Sequence, residues 1–427
     1  MTLDKRGLSD HIRPTSPWPM SMGRMSTERN CDIDVDEANK EVTMEFEETP
    51  EQSMLREAVS GIVAEFGHDY YVRAARAGKK ADELWSALAA GGYVGVNVPE
   101  AYGGGGMGIS ELAIVCEELG AQGCPLLIFV VSPAICATII TKFGTEEQRQ
   151  RWLPRFATGD LKMSFAITEP DAGSNSHRVS TQAKRDGDIY ILNGTKYYIT
   201  AADESEAVLV VTRTGTDEAT GKARLSLFIV DLDSPGLTKT HIPVEIVAPE
   251  KQFTLFFDDV EVPADRLVGT EGEGLRQVFY GLNPERITTA AFAGGIGRYA
   301  LGKASSYARE RSVWGVPIGT HQGLAHPLAK AKTEVELARL MTAKAAWLYD
   351  QDKEAGEAAN MAKYSAAEAA LFALDQAIQV HGGNGMSSEY GLADLWGMTR
   401  LMRTAPVSRE MILNFVAQHS LGLPKSY

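Results

Sequence analysis

The chain has 427 residues, enough for two or three domains of ordinary size. Hydrophobic residues make up 44% and charged residues 23%, a balance that excludes general disorder and predicts a large buried core. The formal net charge of −14 argues against nucleic acid or an anionic membrane as the main partner, although local cations and helix N-termini can still hold the phosphates of a cofactor.

Residues 1–45 are predicted to form a disordered tail. Pro14, Pro17 and Pro19 interrupt any helix, and the segment has no apolar periodicity. An over-long gene start is one explanation for such a segment. A transit peptide is the alternative, because the segment contains several arginines, but its acidic residues oppose that interpretation.

The cysteines and the apolar runs limit the cellular location. Cys31, Cys116, Cys124 and Cys136 form no CxxC pair, and a chain of this length folds without disulfides, so we expect reduced thiols. No apolar run reaches the roughly 18 residues that cross a bilayer. We therefore expect a protein that does not associate with membranes, cytoplasmic or, in a eukaryote, in the mitochondrial matrix.

Helical patterns fill residues 46–163. Thr49-Pro50-Glu51 combines an N-cap, a proline at the first helical position and an acid in the first turn. A second helix is predicted to end at Gly91-Gly92. Two further helices are predicted over residues 110–119 and 146–156, so this region is predicted to be an α-helical domain.

Strand patterns replace them in residues 164–273. Tyr190–Leu192 and Lys196–Thr200 flank Asn193-Gly194, the dipeptide that most favours a two-residue hairpin turn. Because no helix intervenes, we expect an antiparallel barrel or sandwich. Further strands are predicted over residues 208–212, 225–230 and 253–262.

Residues 274–427 are helical again. Four long helices with short connections indicate a bundle, and the whole chain is predicted to be an α+β multidomain protein. The four predicted segments are 283–311, 325–353, 360–381 and 400–418.

The stretch Phe165–Asn175 is a polar connection whose hydroxyl and amide groups suit the edge of a planar ring system, although an ordinary Pro/Asp/Gly turn explains its composition as well. The motif does not stand alone, because seven motifs in order resemble the acyl-CoA dehydrogenase family from about residue 48 to the C-terminus. That resemblance implies an N-terminal α-helical domain, a middle antiparallel β-barrel domain and a C-terminal four-helix bundle. The motifs are Pro99–Gly104, Phe143–Pro154, Phe165–Asn175, Asn193–Thr200, Phe256–Pro263, Glu310–Gln322 and Gln379–Gly385.

The resemblance also implies the ligands. FAD is expected between the barrel and the bundle of a homo-oligomer, dimer or tetramer, in which a neighbouring subunit completes the site. The expected substrate is an acyl-CoA, contacted by Ser174 and Arg286, and the expected electron acceptor is electron-transferring flavoprotein. The implied cofactor contacts are Phe165, Ile167, Thr168, Gly173, Ser174, Tyr198, Thr200, Arg311, Val313, Trp314, Ile318, His321, Gln322, Gln379, Gly382, Gly383, Ser408 and Glu410.

The catalytic carboxylate of many family members precedes a Gly-Thr pair near the C-terminus. If Ser408 matches that Thr, the position of the base is Pro406, which has neither a carboxylate nor a backbone N–H to bind a thioester oxygen. Glu410 matches a different family site. Two other motifs also depart from the family pattern. Phe165–Asn175 ends in Asn175, where Asp is usual, and Asn193–Thr200 contains Tyr198, where Trp is frequent.

A second branch of the family carries its Glu on an earlier helix, just before an Arg. Glu285-Arg286 matches that arrangement, so Glu285 is the predicted base. The alternative is structural, because Asn283-Pro284-Glu285 is also typical of a plain helix start. The absence of a carboxylate at Pro406 favours the catalytic interpretation.

The expected reaction is FAD-dependent α,β-dehydrogenation of an acyl-CoA thioester: a base removes the α-proton and hydride passes from the β-carbon to flavin N5. The loss of the usual base keeps an oxidase or a desulfinase-like lyase open on the same fold. A catalytically silent subunit of a hetero-oligomer is the alternative of another class. A purely structural helical protein fits poorly, because the positions that contact FAD carry suitable residues.

Overall fold

The computed structural model describes residues 47–425. The predictions for the tail of residues 1–45, together with Cys31, lie outside the described residues. Within residues 47–425, no helix is both long enough and apolar enough to cross a bilayer.

The N-terminal part of the described chain is helical, as predicted. Helix α1 begins at Pro50, where the Thr49 hydroxyl accepts a hydrogen bond from the Gln52 N–H at 3.2 Å and the Gln52 Oε1 accepts one from the Thr49 N–H. Five helices form this part: α1 Pro50–Arg76, α2 Asp82–Ala90, α3 Ile109–Ala121, α4 Thr138–Phe143 and α5 Glu146–Ala157. A π-helical segment, Val130–Ala137, leads into α4.

The middle of the chain forms one eight-stranded sheet. The strand order is β6-β7-β3-β2-β4-β5-β8, and β1 pairs with β4. Along β4, Val208 and Val210 face a core enclosed by the sheet, whereas Leu209 and Val211 pack towards the helices. The strands are β1 Met163–Ala166, β2 Gln182–Asp186, β3 Ile189–Thr200, β4 Ala207–Thr216, β5 Ala223–Asp231, β6 Leu237–Ile242, β7 Gln252–Pro263 and β8 Leu267–Val268.

The predicted hairpin at Asn193-Gly194 is wrong. Strand β3 runs through these residues without a turn, and its register with β7 shifts between Leu192 and Gly194, which marks a β-bulge. Gly194 has φ of 147°, and a Cβ there would lie 2.6 Å from the Thr181 Cα, so the position requires glycine for a close approach. The real turn lies at Gly187, which has φ of 60°.

The sheet is mainly antiparallel, as predicted, with two local exceptions. Most neighbours are antiparallel, but β1 and β4 pair in parallel over four residues, Met163–Ala166. β2 and β4 share one parallel pair, Gln182 with Arg213. The parallel pairing is possible because a long connection separates β1 from β4, and this places the end of β1 in the middle of the sheet.

The C-terminal part contains three long helices, α6 Gly274–Glu310, α7 Gln322–Asp350 and α8 Gly356–His381. A short hairpin, β9 Ser312–Val313 with β10 Val316–Pro317, joins α6 to α7. The predicted fourth helix, 400–418, is interrupted. It appears as α9 Trp396–Leu401 and α10 Arg409–Phe415, separated by a turn with a cis Ala405–Pro406 peptide bond.

Small residues bring the long helices close together. A Cβ at Gly295 in α6 would lie 2.1 Å from the Glu117 carbonyl oxygen in α3, so glycine is required at this crossing. On the other side of α6, buried alanines of α8 such as Ala366 and Ala370 form the contact. This close packing fixes α6, the helix that carries Glu285, against both α3 and α8.

Candidate active site

Glu285 lies inside α6, not at a helix start. The helix begins at Gly274, and Pro284 occupies its interior, where the proline carbonyl accepts a hydrogen bond from the Thr288 hydroxyl at 2.8 Å. The structural alternative for Asn283-Pro284-Glu285, a plain N-terminal cap, is therefore wrong. The residues that prompted it have no capping function here, so Glu285 needs another explanation.

The Glu285 carboxylate has an unusual environment. It keeps partial solvent access, yet protein atoms surround most of it, and this desolvation raises its pKa from 4.5 to about 7, against the opposing attraction of Arg286 and Lys363. Among residues 47–425, no side chain or N–H donates a hydrogen bond to this carboxylate or forms an ion pair with it. The group is thus a free carboxylate whose pKa lies close to neutral.

Arg286 is buried beside it. Its Nη1 donates to the Asn283 Oδ1 at 2.8 Å, whereas its Nε has no partner within the described chain. Burial lowers the pKa of Arg286, and the charge of Glu285 acts in the opposite direction. The guanidinium therefore has unused hydrogen-bonding capacity.

Lys363 on α8 is a site residue that the sequence analysis missed. Its side chain is 1% exposed, and its Nζ donates a short hydrogen bond to the Val407 carbonyl. Burial lowers its pKa from 10.5 to about 8, although Glu285 attracts its charge. One signal was present in the sequence, because Lys363 interrupts a run of small apolar residues, among them Ala359, Ala362 and Ala366, along the buried side of α8.

The turn around Pro406, between α9 and α10, is held by local contacts. Ser408 caps α10, its hydroxyl accepting from the Met411 N–H at 3.3 Å. Glu410 is exposed and pairs with Arg409 at 2.6 Å. Both are predicted cofactor contacts, and the structure places them directly after Val407, the residue that Lys363 contacts. No carboxylate occupies position 406 itself.

The connection that follows β1 presents open polar groups. Glu169 and Ala172 exchange two backbone hydrogen bonds of 3.1 Å, which close a tight turn. Phe165 is buried, Ile167 and Thr168 are half-buried, and Gly173 and Ser174 are exposed. In the described part of the chain, the hydroxyls of Thr168 and Ser174 have no hydrogen-bond partner.

A buried ion pair supports this turn from below. Lys196 Nζ donates to the Glu169 carboxylate at 2.8 Å and to the Ile167 carbonyl at 3.0 Å. Glu169 also accepts from the Ser180 and Thr181 N–H groups at 2.7 and 2.9 Å. Burial acts to raise the pKa of Glu169, but Lys196 and these donors lower it to about 2. Burial lowers the pKa of Lys196 to about 8.

Strand β3 lies alongside the same turn. The Tyr197 N–H donates to the Thr168 carbonyl at 2.9 Å, so the strand and the turn form one surface. Next to this contact, Tyr198 has φ of 58° and is 52% exposed, because a second bulge between Lys196 and Ile199 turns it outwards. Thr200 donates to Gln252 at 3.1 Å. The structure therefore brings the predicted contacts of residues 165–174 and 198–200 together.

The other predicted cofactor contacts gather at the far end of the bundle. They lie where α6 ends, α7 begins and α8 ends, and they are Arg311, Val313, Trp314, Ile318, His321, Gln322, Gln379, Gly382 and Gly383. Trp314 is 88% exposed at φ of 53°, and its ring contacts His321 edge-on, with centroids 5.8 Å apart. Arg311 lies 26 residues after Glu285, about 40 Å along α6 at 1.5 Å per residue. A single copy of the chain thus holds the predicted cofactor contacts in three places: around the turn after β1, at this end of the bundle and, for Ser408 and Glu410, at the start of α10.

Three domain models match almost all of the described chain. The acyl-CoA dehydrogenase N-terminal domain matches residues 49–160, the middle domain residues 164–260 and the C-terminal domain residues 272–421. The acyl-CoA dehydrogenase FadE12 of Mycobacterium tuberculosis is 57% identical over 385 residues, which cover 90% of this chain and 99% of that protein. The chain belongs to the acyl-CoA dehydrogenase family.

Solved structures agree with this membership. Butyryl-CoA dehydrogenase from Megasphaera elsdenii has a TM-score of 0.84 at 28% identity, covering 88% of this chain and all (100%) of its own. A chain from a structure named for the electron transferring flavoprotein of Acidaminococcus fermentans has a TM-score of 0.83 at 30% identity, with coverage of 88% and 100%. Family membership confirms the predicted α+β multidomain fold, the predicted oxidoreductase class and FAD as the cofactor of this family.

The residues of this chain fit FAD. The unpaired hydroxyls of Thr168 and Ser174 suit the polar edge of a flavin. At the far end of the bundle, a Cβ at Gly382 or Gly383 would meet no atom within 4 Å, and the buried His321 Nε2 has no partner among the described residues. The space and the unused polar atoms there suit the remainder of a dinucleotide.

The bundle also carries a groove that is separate from the predicted site. A groove of about 690 Å³ opens on the outer side of α7 and α8, with Leu337, Phe372 and Trp396 among its lining residues. It contains none of the residues that the family resemblance implies. The chemistry of the acyl-CoA dehydrogenase site is therefore marked by the free carboxylate and the open polar turn.

Proposed function

We propose that this protein catalyses α,β-dehydrogenation of an acyl-CoA thioester, with Glu285 as the base that removes the α-proton. FAD, when bound, supplies the acceptor for the hydride that leaves the β-carbon. The substrate, the partner that receives the electrons and the oligomeric state are parts of the same proposal. The domain bounds proposed for this fold are 46–163, 164–273 and 274–427.

The observation that carries this proposal is the state of the Glu285 carboxylate. A base for a weakly acidic α-carbon must be unpaired, largely dry and ionisable near neutral pH. The carboxylate of Glu285 meets all three conditions, because it has no hydrogen-bond partner among the described residues and burial raises its pKa to about 7. Pro406, at the position used elsewhere in the family, cannot act as a base.

Arg286 and the turn after β1 have proposed binding roles. The unused Nε of Arg286 is available to a polar group of the acyl-CoA, and Ser174 is exposed at the open side of the turn. Pro406 has no N–H, so polarisation of the thioester carbonyl requires donors other than the backbone at that position. Thr168, Tyr198 and Thr200 would face the ring system of the cofactor.

We infer a homo-oligomer, dimer or tetramer, from the separation along α6. The group at Arg311, Trp314 and His321 lies about 40 Å along the helix from Glu285. It is therefore proposed to contact the FAD whose flavin lies against a second copy. Electron-transferring flavoprotein is the proposed electron acceptor, and the cytoplasm, or the mitochondrial matrix in a eukaryote, is the proposed location.

The test is anaerobic reduction of the bound flavin by a panel of acyl-CoA thioesters. We expect at least one short or branched acyl-CoA to bleach the flavin absorbance of the wild type, and Glu285→Gln to slow this about 10²–10⁴-fold. Glu65→Gln, a change at an exposed glutamate of α1, is the matched control and should react like the wild type.

The other outcomes of this experiment identify the alternatives. Product formation while the flavin remains oxidised would indicate a lyase. Bleaching that survives unchanged in Glu285→Gln would remove Glu285 from the role of base. Tight FAD binding without reaction towards any thioester of the panel would favour a catalytically silent subunit.

A further inference from the structure

Lys363 links the turn that contains Pro406 to Glu285, the proposed base. Its Nζ donates to the carbonyl of Val407, in the turn that contains Pro406. Its charge also acts on Glu285 and Arg286 across the contact between α8 and α6. One buried cation is therefore coupled to the proposed base and tied to the turn at the other position.

We propose that Lys363 is a positioning residue for the reaction: it holds the turn of residues 405–408 against the bundle and supplies the positive charge that keeps Glu285 available as a base. This inference rests on the proposed function, because it assigns Lys363 a role through Glu285. Lys363 does not itself transfer a proton to or from the substrate.

A purely structural explanation accounts poorly for a lysine at this position. Burying a cation costs free energy that an apolar side chain of similar length does not cost. Most neighbouring buried positions of α8, among them Ala359, Ala362 and Ala366, are apolar and small, and the uncharged Asn360 is buried with them. Yet Lys363 is 1% exposed, and its Nζ donates to a backbone carbonyl, that of Val407.

The charged groups around the pair determine the direction of the effect. Glu285 is surrounded by Arg286 on its own helix, Lys363 on α8 and the Cys136 thiol on the segment Val130–Ala137. Burial raises the pKa of Glu285, and the two cations oppose it. Removing the charge of Lys363 therefore raises the pKa of Glu285 further and leaves less of it ionised at neutral pH.

The charge of Lys363 is itself maintained by acidic neighbours. Burial lowers its pKa to about 8, while Glu285, Glu410 on α10 and Glu368 on α8 oppose this change and Arg286 adds to it. Lys363 is thus still largely protonated over the range in which Glu285 ionises. The two groups act together below about pH 8.

Three substitutions separate the charge from the hydrogen bond. Lys363→Met removes both, Lys363→Gln keeps a donor for the Val407 carbonyl without the charge, and Lys363→Arg keeps both. The exposed Lys332→Met on α7 is the control. The measurement is the second-order rate constant of anaerobic flavin reduction by an active acyl-CoA between pH 5.5 and 9.

We expect the rising limb of the pH profile to move upwards by about one unit in Lys363→Met and in Lys363→Gln, as expected when an opposite charge near a carboxylate is lost. Lys363→Arg and Lys332→Met should keep the limb of the wild type. An unmoved limb in both neutral variants would overturn the inference, because a merely structural lysine would lower the rate equally at every pH.

Amide hydrogen exchange tests, independently of activity, whether Lys363 holds the turn of residues 405–408 in place. Amides of residues 404–411 should exchange faster in Lys363→Met than in Lys363→Gln, and Lys363→Gln should match the wild type. Equal protection in Lys363→Met would contradict the holding role. If no thioester reduces the wild-type flavin, the proposed function fails first, so the two failures remain distinguishable.

Discussion

Two glutamates of this molecule, each with a buried lysine in its surroundings, have opposite properties. In the sheet, Glu169 accepts hydrogen bonds from Lys196, Ser180 and Thr181, and these donors outweigh burial and lower its pKa to about 2. In the bundle, Glu285 accepts none within residues 47–425, and burial raises its pKa to about 7. Both lysines have a pKa lowered by burial to about 8.

The difference shows that a directly bonded lysine, together with further hydrogen-bond donors, outweighs burial and keeps a carboxylate ionised, whereas a lysine without that contact does not. Glu169 is permanently ionised and holds the turn after β1 in place. Its stabilising contribution is present above pH 4.5, its pKa when unfolded, and is lost as the pH falls towards 2. Glu285 accepts no hydrogen bond from the described residues and can therefore change its protonation state, which a proton-transfer step requires.

The largest expected effect breaks the pair in the sheet. Lys196→Met leaves the Glu169 carboxylate buried without its cation, and we expect the free energy of unfolding to fall by about 3–5 kcal/mol. Urea unfolding monitored by circular dichroism at pH 7 measures this change. Lys184→Met on the adjacent strand β2, at an exposed position, is the control. Equal unfolding midpoints for wild type and Lys196→Met would mean that the pair does not support the turn.

The second effect is the pH dependence of the reaction. Because the base must be ionised, the second-order rate constant for flavin reduction should fall about tenfold for each pH unit below about 7. A stopped-flow series of absorbance changes between pH 5 and 8 measures it. A profile that stays flat down to pH 5 would indicate a base with an ordinary carboxylate pKa and would remove the contrast between Glu285 and Glu169.

The smallest effect concerns stability and has an unusual sign. The folded protein favours the protonated form of Glu285, because its folded pKa of about 7 lies above its value of 4.5 when unfolded. This contribution is complete below pH 4.5 and is lost as the pH rises through 7. Glu285→Gln should therefore melt at a slightly higher temperature than the wild type at pH 8 and at the same temperature at pH 4. A lower melting temperature at pH 8 would show that the ionised carboxylate stabilises the fold.

Local sequence patterns predicted much of this fold. Thr49-Pro50-Glu51 starts α1 because capping depends on neighbouring residues alone. The hairpin predicted at Asn193-Gly194 was wrong because a bulge and a turn both use glycine. Which of the two forms depends on how β3 pairs with β7. Asn283-Pro284 similarly resembles a helix start, although packing against α3 and α8 extends α6 back to Gly274.

In the candidate site, too, local patterns predicted some features and distant contacts determined the others. The position of Glu285 followed from the motif, but its missing donors and its raised pKa depend on which helices surround it. Lys363 was missed because its relation to Glu285 and to Val407 spans distant parts of the chain. Contacts between residues far apart in sequence leave only a weak local signal, here one lysine in an alanine-rich helix face.

The long span of α6 between Glu285 and Arg311 has a consequence for assemblies that contain two different variants of this polypeptide. Under the proposed assembly, each reaction centre takes its base from one polypeptide and its Trp314 hairpin from another. A defect at Glu285 and a defect at Trp314 carried on different polypeptides would then leave some intact centres in a mixed assembly. Two inactive alleles of this gene would complement each other, whereas either allele alone would be silent.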